Sequence, residues 1–386
     1  MSAPDRPPRV VAAPIRVPGG ALGFSIGLPH IWRASSLDTA FLLDEIVAQR
    51  CYEQNGVRLD RQLHGSRENG NGSGSGSDDD RPVVIDVGAN VGLFAAYAAS
   101  RLGWRARVVA IEPIPEIFEC LRRNADTVAE SAGRSRSGAQ AQGQAQAPPD
   151  HPISCLNCGI GDGSAQFADF VFYPSASGWS TMMPDDDEVR RSAAAFVVDA
   201  VSGGDRDRDR GRGRGRDRDE DNDEDEDDYG SDAGAPSALQ GSPLARVVSA
   251  VNRVIRIPPS LIRRAASLRV SRLLSEGRTV RCPLDTISGI IDRQRIPDVV
   301  LLKIDVERAE LAVLQGIRSD HWPRIHQVAM ECHGGPDGSN LGAVVDILEE
   351  QGFTVEISQS RAMRSTGLYA IHSVRRRCDG SRVGEE

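Results

Sequence analysis

From Arg81 onward, short apolar runs alternate with stretches whose apolar residues recur every three or four positions. Val83-Val84-Ile85, Val108 to Ile111, Ile153 to Ile160, Val299 to Ile304 and Val328-Ala329-Met330 are runs of the length of buried parallel strands. Between them lie helical stripes: Leu93, Phe94, Tyr97 and Ala98, stopping near Gly103; Ile117, Phe118 and Leu121; Leu311 and Leu314, ending at Gly316; and Leu341, Val344, Val345 and Leu348, closed by Gly352. Phe353 to Ile357 and Leu368 to Ile371 lie too close for a helical crossover, so they are expected to pair antiparallel. The alternation predicts a doubly wound α/β fold: a mostly parallel, seven-stranded sheet with helices on both faces and a C-terminal antiparallel strand pair.

Upstream, Leu42, Leu43, Ile46 and Val47 form an apolar stripe in a helix expected from Asp38 to about Gln49, with Ser35 and Asp38 at capping-box spacing. His64 to Asp80, mostly Gly, Ser, Asn and Asp, reads as a flexible linker. Residues 1–80 are therefore expected to be an N-terminal segment, and 81–386 the main domain. Two stretches break the pattern, Ser131 to Pro149 and Gly203 to Gly241. Neither can bury enough apolar surface to offset its ordering entropy, so both are expected to be disordered insertions. Residues 243–278 carry eight arginines against Glu276, with apolar residues interleaved, and predict two basic amphipathic helices around Pro258-Pro259. They read as a lid in preference to a membrane or nucleic-acid surface.

Charge changes this picture little. The net charge of −9 is an average over uneven parts, since Asp205 to Asp228 is almost all Asp, Glu, Arg and Gly. No run of about 18 apolar residues predicts a membrane span, and the N-terminus shows no signal-peptide pattern. Seven cysteines, mostly inside apolar runs, read as reduced packing residues, so a cytoplasmic protein is expected. Cys155 and Cys158 form a CxxC without the second pair a zinc site needs, and no metal is expected.

Candidate chemistry lies at the strand ends. Asp86-Val87-Gly88-Ala89-Asn90-Val91-Gly92 follows a strand and opens a helix, the place where nucleotides bind in open α/β sheets. Gly88 allows a tight turn and Gly92 close packing of helix on strand. Asp86 would repel a pyrophosphate, and Asn90 fills space that a pyrophosphate needs. Both points favour S-adenosylmethionine (SAM), with its amino group and sulfonium, over a nicotinamide dinucleotide. Glu112, about twenty residues after Gly92, stands where a carboxylate accepts hydrogen bonds from ribose hydroxyls. Asp162 ends the third run and is either an adenine contact or a turn residue. Asp305, Glu307, Glu331 and His333 follow the fourth and fifth strands and could converge, with Asp305, Glu307 and His333 as candidates for acting on an acceptor. His333 is either a general base or a structural histidine.

Several of these stretches together resemble the FkbM-type SAM-dependent methyltransferases: VVIDVGANVGLF, VVAIEPIPEIFECLRRN, LLKIDVERAELAVLQGI, HWPRIHQVAMECH and the late GF…STGLYA. FVFYPSASGWSTMMPDDDEV and FLLDEIVAQRCYEQNGVRL are similar to the subgroup found attached to, or near, peptide and polyketide assembly lines. The resemblance covers about residues 36 to 373 apart from the insertions. Arg308 stands where the family often has glycine, although other members carry a charged residue there. The resemblance implies a Rossmann-like class I methyltransferase fold and methyl transfer, usually to oxygen, here of a small molecule or secondary metabolite. It carries Asp86, Gly88, Asn90, Gly92 and Glu112 over as cofactor residues, and no nucleic-acid partner is expected. The competing readings are a nicotinamide-dependent oxidoreductase and a non-catalytic binding module on the same fold.

Overall fold

The structure, a computed structural model, describes residues 42–59, 81–140, 151–185, 187, 259–334, 339–359 and 367–376. Seven strands form the main sheet: β1 (Val83–Val87), β2 (Arg107–Ile111), β3 (Ile153–Leu156), β7 (Val299–Ile304), β8 (Gln327–His333), β9 (Phe353–Ser358) and β10 (Leu368–Arg375). Their spatial order is β3-β2-β1-β7-β8-β10-β9. The pairs β1–β2, β2–β3, β1–β7 and β7–β8 are parallel, and β9–β10 is antiparallel. Chain order reverses direction at β1, with β2 on one side and β7 on the other, and the crevice at such a switch point is where ligands bind.

Strand alternation divides the core. Val83, Ile85, Val87, Val109, Ile111, Leu302, Ile304, Val328 and Met330 pack on one face with α4 (Ile287–Arg293), α5 (Glu310–Gln315) and α6 (Ser339–Glu350). Val84, Val108, Ala110, Leu301 and Ala329 face the other way, against α1 (Leu93–Arg101) and α2 (Pro115–Gln140). Ile46, Val47, Tyr52, Val57 and Leu59 join that second face. Residues 42–59 are thus built into the core. The Glu53 carboxylate takes Arg101 at 3.0 and 3.1 Å and also bonds Tyr97, while Gln327 exchanges hydrogen bonds with the Arg58 backbone.

Several expectations change. Ile153 to Ile160 is not one strand: after β3 the chain crosses to a second sheet at β4 (Gly159–Ile160). That sheet, ordered β4-β6-β5, adds β5 (Phe167–Phe172) and β6 (Arg278–Asp285), and α4 follows with Thr286 capping it through Gly289 N. β6 begins where the basic helices were expected to end. α2 runs to Gln140, past Ser131, where an unstructured insertion was expected. Of the predicted Asp38–Gln49 helix, Leu42 and Leu43 are helical and Asp44–Ala48 form a π-helical turn; Asp38 to Phe41 lie outside the described residues. Residues 60–80, 141–150 and 203–241 also lie outside them, as does 243–258, the first part of the basic pair.

The chain divides into two compact units, the second comprising Asp185–Ser275 and Gln359–Leu368. In it α3 (Pro259–Leu274) starts with proline at its first turn, where the missing N–H costs nothing. Val270 and Leu274 are buried on α3, and Leu268 is exposed. No described helix is long and apolar enough to cross a membrane. The six described cysteines are free; Cys155 lies on β3 and Cys158 in the link to β4.

Candidate active site

The turn from β1 into α1 is held from below. Gly88 N and Ala89 N donate to Ile111 O at 3.0 and 2.9 Å, and Asp305 N donates to Val87 O at 3.1 Å. Gly88 has φ +73°, and a Cβ there would lie 1.7 Å from the Asp305 carbonyl oxygen. Its glycine is required by the backbone of the β7 loop. Gly92 has φ +86°, and a Cβ would meet Leu121 Cδ1 at 2.6 Å, so this glycine admits α2. Asn90 is also left-handed, at φ +49°, and its side chain accepts from Val91 N at 2.7 Å.

Glu112 ends β2 beside this turn. One carboxylate oxygen accepts from Asn90 N at 3.1 Å and the other from Ile114 N at 2.9 Å. Burial pushes its pKa up to about 7, against the pull of those two amides. Glu112 and Asn90 are therefore brought together as expected, with lone pairs on the carboxylate left for further donors. Asp162 is not brought to them: it is exposed and accepts from Ser164 N at 2.8 Å, the geometry of the turn alternative. Among the described residues no hydrogen bond or ion pair joins it to Glu112 or Asp86.

Asp86 is fully buried. In register it lies opposite Lys303, and Lys303 opposite Ala329, all on the face covered by α1 and the N-terminal segment. Lys303 Nζ stands 3.1 Å from Asp86 Oδ1 and 3.5 Å from Asp305 Oδ2, and donates to Gly88 O at 2.9 Å. The rings of Tyr52 and Phe94 lie 5.5 and 5.8 Å from it. Burial alone would lower the Lys303 pKa, but Asp86 and Asp305 overcome it and hold it above the ordinary range. Burial raises Asp86 despite Lys303. The Asp86 carboxylate is thus engaged beneath the turn, fixing Lys303 against the Gly88 carbonyl.

The same alternation sets Glu331 and His333 on the Lys303 face, two and four residues past Ala329. His333 Nε2 lies 3.3 Å from Glu307 Oε2, and Nδ1 lies 2.9 Å from Glu310 Oε1. Burial would lower its pKa, but hydrogen bonds to Glu307 and Glu310 raise it well above the ordinary value. Both ring nitrogens are engaged, by Glu307 and Glu310, and the raised pKa favours the protonated ring, which agrees with the structural alternative. Burial raises Glu307, which His333 opposes. Asp305, Glu307 and His333 do converge, with Glu331 beside them. The Tyr52 hydroxyl lies 3.2 Å from Asp305 Oδ2 and 3.1 Å from Glu331 Oε1.

Glu307 and Arg308 both have positive φ, +50° and +80°. The stretch from Phe172 to Met183 meets this turn: Thr181 Oγ1 donates to Glu307 O, and Arg308 reaches Met183 O at 3.4 Å. Sequence reasoning passed over Tyr52, Lys303, Glu310 and Thr181. A lysine inside an otherwise apolar buried strand was the available signal for Lys303, because such a charge requires partners.

A seven-stranded sheet closed by an antiparallel pair, with a glycine turn after β1 and an acid at the end of β2, defines a Rossmann-like class I methyltransferase fold. Residues 86–355 match the model of the methyltransferase FkbM domain, and the chain belongs to that family. It is 26% identical over 363 residues to the 31-O-demethyl-FK506 methyltransferase FkbM of Streptomyces tacrolimicus, covering 94% of this chain and 96% of that one. It is also 27% identical over 356 residues to the AMB antimetabolite synthetase AmbE of Pseudomonas aeruginosa; the match covers 91% of this chain but 12% of that synthetase's length. A crystal structure of a methyltransferase FkbM from Methylobacillus flagellatus aligns with a TM-score of 0.35 and 12% identity, over 86% of this chain and 52% of that one.

Proposed function

We propose that the protein transfers a methyl group from SAM to a hydroxyl oxygen of a small molecule. The observation that carries this reading is the buried Glu112 carboxylate, tied to Asn90 N in the glycine turn and able to accept from a ribose diol. Bound SAM supplies a methyl group already activated by the positive charge on sulfur. Asn90, Gly88 and Gly92 shape the turn that receives it, and the Asp86–Lys303 pair stiffens that turn from below.

The acceptor side is assigned to Asp305, Glu307 and His333. Of the acceptor-side acids, Asp305 is the one beside the turn, since its own carbonyl fills the space next to Gly88. It takes the hydroxyl proton as the oxygen–methyl bond forms and the sulfur–methyl bond breaks. His333 orients Glu307, and Glu307 with Thr181 lines the approach. Methylation at oxygen is supported by the relative whose name gives 31-O-demethyl-FK506 as its substrate. The test is incubation of a metabolite extract with the protein and deuterated-methyl SAM, read by mass spectrometry, beside calorimetry with SAM and with NAD. Binding of NAD and not SAM would return the nicotinamide alternative.

A further inference from the structure

Tyr52 lies outside the matched residues 86–355, yet its hydroxyl stands between two carboxylates of the proposed acceptor side. A phenol has one proton and can donate it to one acid only. Two ionised carboxylates at 3.2 and 3.1 Å would leave one oxygen–oxygen contact without a hydrogen. The second contact is satisfied when one of the acids carries a proton and donates it to the phenol oxygen.

The surroundings decide which acid that is. Asp305 has the Lys303 ammonium at 3.5 Å as its counter-charge. Glu331 is faced by Asp305, Glu45 and Glu307, and by His333 as an opposing cation. Lys303 and Cys51 are the remaining titratable groups in its field. Lys303 is already engaged by Asp86 and Gly88 O, and His333 by Glu307 and Glu310. Burial and then Asp305 push Glu331 well above the carboxylate range, which agrees with the geometry.

We propose that Tyr52 is a positioning residue for Asp305, held in a directed chain in which Glu331 donates to the Tyr52 oxygen and the Tyr52 hydroxyl donates to Asp305. Lys303 and Tyr52 then both hold Asp305 Oδ2 and leave the lone pairs of Oδ1 for an acceptor hydroxyl. The N-terminal segment is thereby a component of the active site. The proton chain stands on geometry alone, and its catalytic meaning rests on the function proposed above.

Infrared difference spectra of the full chain, with no acceptor added, test the chain directly. At about pH 8, where an ordinary glutamate is ionised, the wild type shows the carbonyl stretch of a protonated carboxylic acid. Glu331→Gln removes that band, and Tyr52→Phe, nearly isosteric, moves it to higher frequency because the acid loses its acceptor. A band indifferent to both substitutions, or no such band in the wild type, overturns the proposal. In the labelled extract assay Tyr52→Phe lowers the initial rate of methyl transfer about tenfold or more, with the SAM dissociation constant unchanged; an unaltered rate overturns the positioning role. Failure of the wild type to bind SAM would instead sink the functional reading, and the infrared result would still decide the chain.

Discussion

Two opposing requirements meet at Glu112. Burial holds its pKa at about 7, so near neutral pH a fraction of the folded protein carries it protonated. A ribose diol, however, is best received by the ionised form. SAM affinity is therefore expected to strengthen as pH rises through about 7, by at most about tenfold per pH unit below that value. Isothermal titration across pH 5.5 to 8.5 checks this, and a flat profile counts against the ribose role. Glu112→Ala removes charge-assisted bonds worth roughly 1.5–3 kcal/mol, which lowers SAM affinity about tenfold or more. Backbone conformation yields a second pair of tests. Gly88→Ala places a methyl group into the Asp305 carbonyl and is expected to abolish cooperative unfolding. Arg308 sits at φ +80°, which also accounts for the glycine frequent there in the family. Arg308→Gly relieves that conformation and should hold or raise the urea midpoint, by up to about 1 kcal/mol.

Among the elements, the segment 42–59 behaves as part of the sheet domain. Its removal exposes Phe94 and Tyr97, takes the Glu53 carboxylate from Arg101 and takes the Tyr52 ring from Lys303. A chain starting at Arg81 is expected to lack a cooperative thermal transition. The milder Glu53→Ala should cost about 1–3 kcal/mol, read as a lower urea midpoint with the m-value unchanged. The strands of the main sheet were legible because each is a short apolar run bounded by turn residues, as at Val299 to Ile304. The second sheet was not. Its partners β5 and β6 are more than a hundred residues apart, and Arg278, Arg281 and Pro283 gave β6 the look of a basic surface stretch. In fact Arg278 and Arg281 lie over the rings of Phe172 and Phe167. Glu112 and the turn were legible because spacing from a strand end fixes them. Tyr52 was not, since nothing local to Cys51-Tyr52-Glu53 states which strand it will meet.

For the molecule as a whole, the buried acids act in one direction. Asp86, Glu112, Glu307 and Glu331 have raised pKa values, and so does His333. The folded chain then binds more protons than the unfolded chain once pH exceeds the ordinary carboxylate range, and stability falls as pH rises. For Glu112 that window closes at about 7; for His333 the stabilisation is complete below the ordinary histidine value and is lost as pH climbs through its raised one. The acids with lowered values, Glu119, Asp162, Asp292 and Asp320, lie at the surface and matter only at lower pH, and His372, lowered by burial, acts with the opposite sign below the ordinary histidine value. Tm without ligand is expected to be highest in mild acid and to decline toward pH 9, while SAM affinity moves the opposite way. Differential scanning fluorimetry across that range, with and without SAM, checks both signs, and a Tm that rises steadily with pH contradicts the assignment.

The bonds that seat the N-terminal segment also impose an order in time. Tyr52 meets Asp305 and Glu331 across 253 and 279 residues, Arg58 meets Gln327 across 269, and Cys51 O meets His372 across 321. The residues of this segment must wait, unsatisfied, for partners synthesised 253 to 321 residues later. Contacts of such sequence separation form slowly, because the closure entropy of a long loop precedes any gain from them. The polar row of Asp86, Lys303, Asp305 and Glu331 therefore comes together with Tyr52 only in a chain translated past β8. An interrupted product lacks the acceptor half and, with it, the Asp305 and Lys303 contacts that hold the glycine turn. Synthesis itself thus acts as a checkpoint against half-built enzyme.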